Sequence, residues 1–336
     1  MQFRKKDGLD MRYKERDGIT FSQIGLGTGR FGTRVAEEDA FRMLDYYFEH
    51  GGNVLDTARN YYEWVENGHG KSEECLGKWM GERNNRSNIC LVTKGGVKNN
   101  GNIWEINLSE KKLTEEIKQS MDALRTDYID VYLLHRDEMD RPVEEIVETM
   151  QQLRELGKVK LLGVANWKYE RIHKANKYAQ LHGMEPFKVI QTWWSLAEYK
   201  KEMWNDNTTT HMDSQTYDYL LENSYIGMAY TSQCKGYFQK AIQAGRDNLD
   251  SFLRERIETE NNIKILNYIK KYCDRMKISP TAVVCGYITN NPVSGIALVS
   301  TSNMEQLADI MRWSNYELPR EIINELDSLK GNIWEM

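Results

Sequence analysis

The sequence predicts an α/β fold in which eight parallel strands close into a barrel, and two observations carry that expectation. From residue 24 onward, short apolar runs alternate with amphipathic helix-like stretches, the pattern of parallel strands joined by crossover helices. In addition, 336 residues show no internal repeat, low-complexity tract or Pro/Gly-rich linker, so residues 1–336 read as one barrel domain.

The elements follow in order. Residues 11–22 read as an N-terminal β-hairpin. Barrel strands are expected at 24–28, 53–56, 89–94, 129–135, 161–166, 189–192, 226–230 and 296–300. Helical spacing is clearest at Leu113, Ile117, Met121 and Leu124, and again at Val143, Ile146, Val147, Met150, Leu153 and Leu156, which puts one apolar stripe on each helix. Two long connections, the Asn/Thr-rich 200–213 and 236–260 with one short helix, follow the sixth and seventh strands on the face where strands end. Residues 319–329 read as an extra C-terminal helix, followed by a tail able to close over a pocket.

Composition narrows the partners. Acidic residues outnumber basic ones by five with both signs interspersed, so no basic stripe points to nucleic acid. The opening Met-Gln-Phe-Arg-Lys-Lys-Asp-Gly lacks the apolar core of a signal peptide, and no apolar run reaches membrane-span length, so a cytoplasmic protein without a membrane partner is expected. Cys75, Cys90, Cys234, Cys273 and Cys285 form no C-x-x-C pair, which indicates neither a disulfide framework nor a metal site; Cys90 and Cys285 read as small core residues.

Gly27-Thr-Gly29-Arg-Phe-Gly32 fits G-x-G-x-x-G after a strand, with Asp56 near the distance of a ribose-binding acid. The helix that should open within the glycines instead starts near Ala36, so they read as a loop closing the first barrel strand.

Asp56, Lys94 and His135 each close an apolar strand, and Tyr61 trails the first of them. The carboxyl ends of barrel strands converge on one face, where chemistry sits. A phenol is a poor acid at neutral pH, with an unperturbed pKa of about 10. A nearby ammonium lowers that value, and a carboxylate holds the ammonium in place. Tyr61, Lys94 and Asp56 supply those parts, while His135 can orient a carbonyl oxygen or relay its proton. Singly, each has a structural reading as a loop cap, half-buried ring, salt bridge or core histidine. An isomerase using Lys94 as base is a further reading of the same groups.

In this order and setting the four residues resemble the catalytic tetrad of the aldo-keto reductase superfamily, and the similarity covers nearly the whole chain. Ile-Gly25-Leu-Gly27-Thr28, Asp56-Thr-Ala-Arg-Asn-Tyr61, Leu-Val-Thr-Lys94 and Asp130-Val-Tyr-Leu-Leu-His135 match its signature strands. Gly163-Val-Ala-Asn166-Trp167, Gln191 and Met228-Ala-Tyr230-Thr231-Ser232 match later ones. The resemblance implies a (β/α)8 TIM barrel, an extended nicotinamide cofactor, and carbonyl reduction or alcohol oxidation. Tyr61 would be the general acid, Lys94 and Asp56 its tuners, and His135 the carbonyl-orienting group. Gly27 and Thr28 would border the cofactor, Asn166 and Gln191 would hold the carboxamide, Tyr230 would stack on the ring, and Thr231 and Ser232 would meet the pyrophosphate. A monomer or homo-oligomer is implied. Potassium-channel β subunits in the same superfamily raise the alternative of a cofactor-holding redox sensor.

Two departures stand out. Ala165 replaces the usual Ser. The stretch matching the 2′-phosphate grip offers Ser300, Thr301, Ser302, Asn303 and Gln306 without Lys or Arg, although Lys235 can add a charge. NADP(H) is expected as the family default, with NAD(H) open because charge-assisted bonds are missing there. Trp64, Trp104, Trp167, Trp194 and Trp204, with Tyr62, Glu63, Arg136 and Asp137, fall on expected active-face segments. Flat walls plus hydrogen-bonding groups suit a sugar-like substrate, with Trp64, Trp104, Trp167 and Arg136 as candidate contacts; packing of several of these indoles against helices outside the barrel is the other reading.

Overall fold

The fold, a computed structural model, describes residues 11–99, 104–200, 206–293 and 295–330. Its strands are β1 (Tyr13–Arg16), β2 (Ile19–Ser22), β3 (Ile24–Gly27), β4 (Val54–Asp56), β5 (Cys90–Gly95), β6 (Val97–Asn99), β7 (Trp104–Ile106), β8 (Ile129–Leu134), β9 (Val159–Ala165), β10 (Val189–Trp193), β11 (Ile226–Tyr230) and β12 (Ile296–Val299). The strands β3, β4, β5, β8, β9, β10, β11 and β12 pair in parallel in that order, and β12 pairs back to β3, closing the eight-stranded barrel that the alternating pattern predicts.

The principal helices are α1 (Glu37–Glu49), α2 (Lys71–Arg83), α3 (Glu110–Leu124), α4 (Val143–Glu155), α5 (Tyr169–Leu181), α6 (Ser214–Glu222), α7 (Tyr237–Ala244), α8 (Ser251–Arg256), α9 (Glu260–Met276), α10 (Pro280–Thr289), α11 (Met304–Arg312) and α12 (Arg320–Lys330). α1 starts at Glu37, after the glycine loop, as the sequence requires for a barrel and not for a Rossmann unit. Its first turn carries Glu37, Glu38 and Asp39, which complement the positive end of the helix dipole. The connection 236–260 holds two helices, α7 and α8, where one was expected; each is short, and α8 is capped by Asp250 accepting from the Leu253 amide.

The barrel interior is filled by Val54, Val92, Val131, Leu133, Val189, Met228 and their neighbours. Ile19 and Phe21 of the hairpin join this cluster. Because β2 runs straight into β3, the hairpin plugs the end where strands begin and leaves the other end for a site. Gly163 packs too closely for a side chain: a Cβ there would lie 2.3 Å from the Val189 carbonyl oxygen and 2.5 Å from Leu133.

The expected C-terminal helix is α12; the tail after it lies outside the described residues. Lys330 ends α12 as a buried ammonium, donating to the Ser195 carbonyl at 3.0 Å. Burial lowers its pKa to about 8, against the pull of Asp327. Below pH 8 the ammonium is charged folded and unfolded, and the full burial penalty applies. Between pH 8 and about 10.4, the ordinary lysine value, only the unfolded chain holds the proton, so stability rises with pH through that window. Lys330→Met removes this titration. Its stability relative to the parent, read by urea unfolding, is expected to be highest below pH 8 and to fall by about 3 kcal/mol by pH 10.5. A pH-independent difference would show that folding leaves the Lys330 pKa unshifted.

Candidate active site

Interior side chains come two apart along a barrel strand. On β4, Val54 is followed by Asp56; on β5, Cys90 and Val92 by Lys94; on β8, Val131 and Leu133 by His135; on β10, Val189 by Gln191; on β11, Ile226 and Met228 by Tyr230. The interior turns polar at the last inward position of strand after strand. A cavity of about 1280 Å³ opens there, lined by Asp56, Asn60, Tyr61, His135, Gln191 and Tyr230 among others.

Lys94 is fully buried and its ammonium has three partners: Asp56 Oδ2 at 2.8 Å, the Thr57 carbonyl at 2.8 Å and the Tyr61 hydroxyl at 2.9 Å. Tyr61 donates to Asp56 Oδ2 at 3.3 Å, while Gln191 Nε2 donates to Asp56 Oδ1 at 2.8 Å. The loop after β4 reaches Lys94 because it lies along β5, with the Thr57 amide on the Val92 carbonyl and the Arg59 amide on the Lys94 carbonyl. Arg59 pins it through a 2.9 Å pair with Glu73 of α2. From the other side the glycine loop packs close: a Cβ on Gly29 would lie 3.1 Å from the Tyr61 ring.

Burial, then the Asp56 carboxylate, pushes the Tyr61 phenol well above its ordinary pKa. This reverses the expected lowering by the ammonium, and the phenol keeps its proton throughout neutral pH. Lys94 is pulled down by burial and up by Asp56, with a net lowering. Burial, Arg136 and Lys94 hold His135 well below the usual histidine range, so its ring is neutral. His135 Nδ1 meets Asn60 Oδ1 at 2.9 Å. Its ring stands edge-on to Tyr61 and to Trp104, with centroids 5.7 and 5.9 Å apart.

Of the other residues singled out from the sequence, Gly27, Asn166, Gln191, Tyr230, Thr231, Ser232, Lys235, Ser300, Thr301, Ser302 and Gln306 all line this cavity, as do Trp64, Trp104 and Arg136. Two do not. Thr28 follows the inward Gly27 and therefore points outward, its hydroxyl donating to the Asp56 carbonyl at 3.0 Å and meeting Ser72 at 3.1 Å. Trp167 is buried against Phe187 and Arg171, because Asn166 takes a left-handed φ of 61° that turns the chain out of the barrel. Trp194 is likewise core, edge-on to Tyr217, and Trp204 lies outside the described residues.

The sequence profile of the Aldo/keto reductase family matches residues 23–330. The chain belongs to that family. Norsolorinic acid reductase A of Aspergillus parasiticus is 33% identical over 328 residues, covering 92% of this chain and 78% of the relative. Norsolorinic acid reductase stcV of Emericella nidulans is 36% identical over 203 residues, 55% of this chain and about half, 50%, of the relative's length. A Saccharomyces cerevisiae protein provisionally named an aryl-alcohol dehydrogenase is 27% identical, covering 93% of this chain and 84% of the relative.

This aldo/keto reductase has site residues that motif reading missed. Asn60, inside the Asp56–Tyr61 spacing, is the ring partner of His135. The Thr210 amide donates to Asn166 Oδ1 at 3.3 Å, and the Tyr230 hydroxyl donates to the same oxygen at 2.6 Å. The Asn/Thr-rich composition of 200–213 marked an active-face loop but not these bonds. The reductase has no group of three or more His, Cys, Asp or Glu placed to hold a metal ion, and no helix long and apolar enough to cross a membrane, among the described residues.

Proposed function

We propose that this reductase interconverts a carbonyl and an alcohol with a nicotinamide cofactor, with Tyr61 as the acid, and that its substrate is a planar aryl aldehyde or ketone. The observation that supports the chemistry best is the Lys94 ammonium within hydrogen-bond distance of both Asp56 and Tyr61.

The cavity wall fits an extended dinucleotide. Gln191 Oε1 has no partner among the described residues and suits a carboxamide, and Asn166 lies beside it across β9 and β10. At the far end the Thr301 hydroxyl is buried without a partner, and Asn303 caps α11, whose N-terminus favours a phosphate. When bound, the nicotinamide supplies hydride. Tyr61 then passes its proton to the substrate oxygen as negative charge develops there. Lys94 steadies the phenolate left behind, and Asp56 fixes Lys94. His135 orients the oxygen through its neutral ring.

For a 2′-phosphate, the cavity offers cations outside 300–306. Arg30 lines the cavity and, after burial, is the largest cause lowering the pKa of Lys235, so two positive charges share that wall. NADPH is therefore expected to bind about tenfold tighter than NADH in a fluorescence titration. Equal affinities would place the phosphate away from them.

At the substrate end Tyr62 and Trp64 stack at 5.3 Å, with Trp64 48% exposed, and Trp104 faces His135. Such faces suit an aromatic ring, in keeping with relatives named for aryl alcohols and norsolorinic acid. They also suit a sugar, but the polar groups that reading counted on are engaged. Arg136 pairs with Asp206, Asp137 with Arg171, and Glu63 with His69. With NADPH, benzaldehydes are expected to show at least about tenfold higher kcat/KM than aldoses. Faster turnover of aldoses would restore the sugar reading. Cofactor retained through purification with no turnover of either class would favour the redox-sensing protein.

A further inference from the structure

Arg136 follows His135 at the cavity, and the chemistry above gives it only an electrostatic effect on that ring. Its side chain is only 7% exposed, and its guanidinium is enclosed by partners from three separate stretches. Nη1 donates to the His135 carbonyl at 2.9 Å, at the end of β8. The flat face lies over the Trp104 ring of β7, 4.1 Å from its centroid. Nε donates to Thr208 Oγ1 at 2.8 Å and Nη2 to Asp206 Oδ2 at 3.2 Å, both on the loop after β10.

That loop is shaped to receive it. The other oxygen of Asp206, Oδ1, accepts from the Thr208 amide at 2.9 Å and from its hydroxyl at 2.5 Å, which holds a carboxylate and a hydroxyl side by side as a socket for a guanidinium fork. Two residues on, Thr210 reaches Asn166 through its amide, and its carbonyl accepts from the Trp193 amide at 3.0 Å and from Thr192 Oγ1 at 2.8 Å. Trp104, Asn166 and Arg136 all face the cavity. One cation thus ties the aromatic wall, the loop that reaches Asn166, and the backbone that carries His135.

We propose that Arg136 is a latch: it locks the 206–210 loop and the Trp104 ribbon onto the end of β8, acting as a positioning residue that shapes the substrate pocket and not as a substrate ligand. The inference rests on the carbonyl-reductase reading for what the pocket holds. A planar, five-donor guanidinium suits this task, since it can serve two loops and stack at once, which an ammonium cannot.

Changing Arg136 itself also removes a charge beside His135 and Lys94, so the latch is best cut from the far side. In the Asp206→Asn/Thr208→Val double variant, Arg136 keeps its charge and its place just after β8. Steady-state kinetics with NADPH and 4-nitrobenzaldehyde are expected to show KM raised at least about tenfold, kcat within about threefold of the parent, and NADPH affinity within about twofold. Amide hydrogen exchange across 206–212 is expected to speed up at least about tenfold. Arg136→Lys, which keeps charge but loses the fork, is expected to follow the double variant. Faster exchange with unchanged KM would overturn the latch, leaving the loop contacts merely structural. A KM raised by Arg136→Met but not by the double variant would overturn it in favour of direct substrate contact. Failure of the reductase reading would appear separately, as a parent protein without NADPH-dependent turnover. Unchanged exchange in the double variant would then still refute the latch.

Discussion

Tyr61→Phe is expected to lower kcat for carbonyl reduction by about 10³-fold, within the 10²–10⁴ range that a positioned proton donor contributes. The variant removes one oxygen and little else. The ring keeps its packing against the Gly29 loop and its edge contact with His135, so NADPH affinity should stay within about twofold. Lys94 loses one of three acceptors and keeps Asp56 and the Thr57 carbonyl, a stability cost of about 1–3 kcal/mol. Because burial and Asp56 hold the phenol above its ordinary pKa, the parent enzyme should stay protonated at Tyr61 and show reduction rates that do not fall as pH rises through neutrality. Single-turnover measurements with preloaded NADPH isolate the step. A kcat within tenfold of the parent would remove Tyr61 as the acid.

Why the tetrad was legible in the sequence, and its surroundings were not, follows from the range of the forces involved. Asp56, Lys94 and His135 announce themselves because each is a charged or polar residue at the inward position where an apolar alternation ends, and barrel geometry then fixes where they meet. Asn60 carries no such mark. Its pairing with His135 spans 75 residues of chain and depends on the turn between Asp56 and Tyr61. Trp167 was misplaced for the opposite reason: position after a strand implied the cavity, but one left-handed residue, Asn166, reverses the direction of the next side chain. The ribbon of β6 and β7, which carries Trp104, left no periodic signal because each strand has only three residues. Lys235 stood out in the sequence as a charge beyond 300–306, whereas Arg30, which lines the same cavity, lies within the glycine loop and carried no such mark.

Removing Asp56 tests what the ion pair is for. Asp56→Leu leaves the Lys94 ammonium fully buried without a counter-charge and takes the acceptor from Gln191 Nε2, so the variant should lose about 3–5 kcal/mol of stability in chemical denaturation. The Asp56→Leu/Lys94→Met double variant should recover most of that loss, since two charges of opposite sign have been replaced by apolar groups in an interior already lined by Val54 and Val92. Both variants should lack reductase activity. That combination, a double variant that folds about as well as the parent and catalyses nothing, would show that the pair persists in the barrel for the phenol it serves and not for the fold it sits in. A loss below about 1 kcal/mol for Asp56→Leu alone would instead mean that Lys94 sits neutral in the folded protein. Lys94 would then have no charge with which to steady the phenolate of Tyr61.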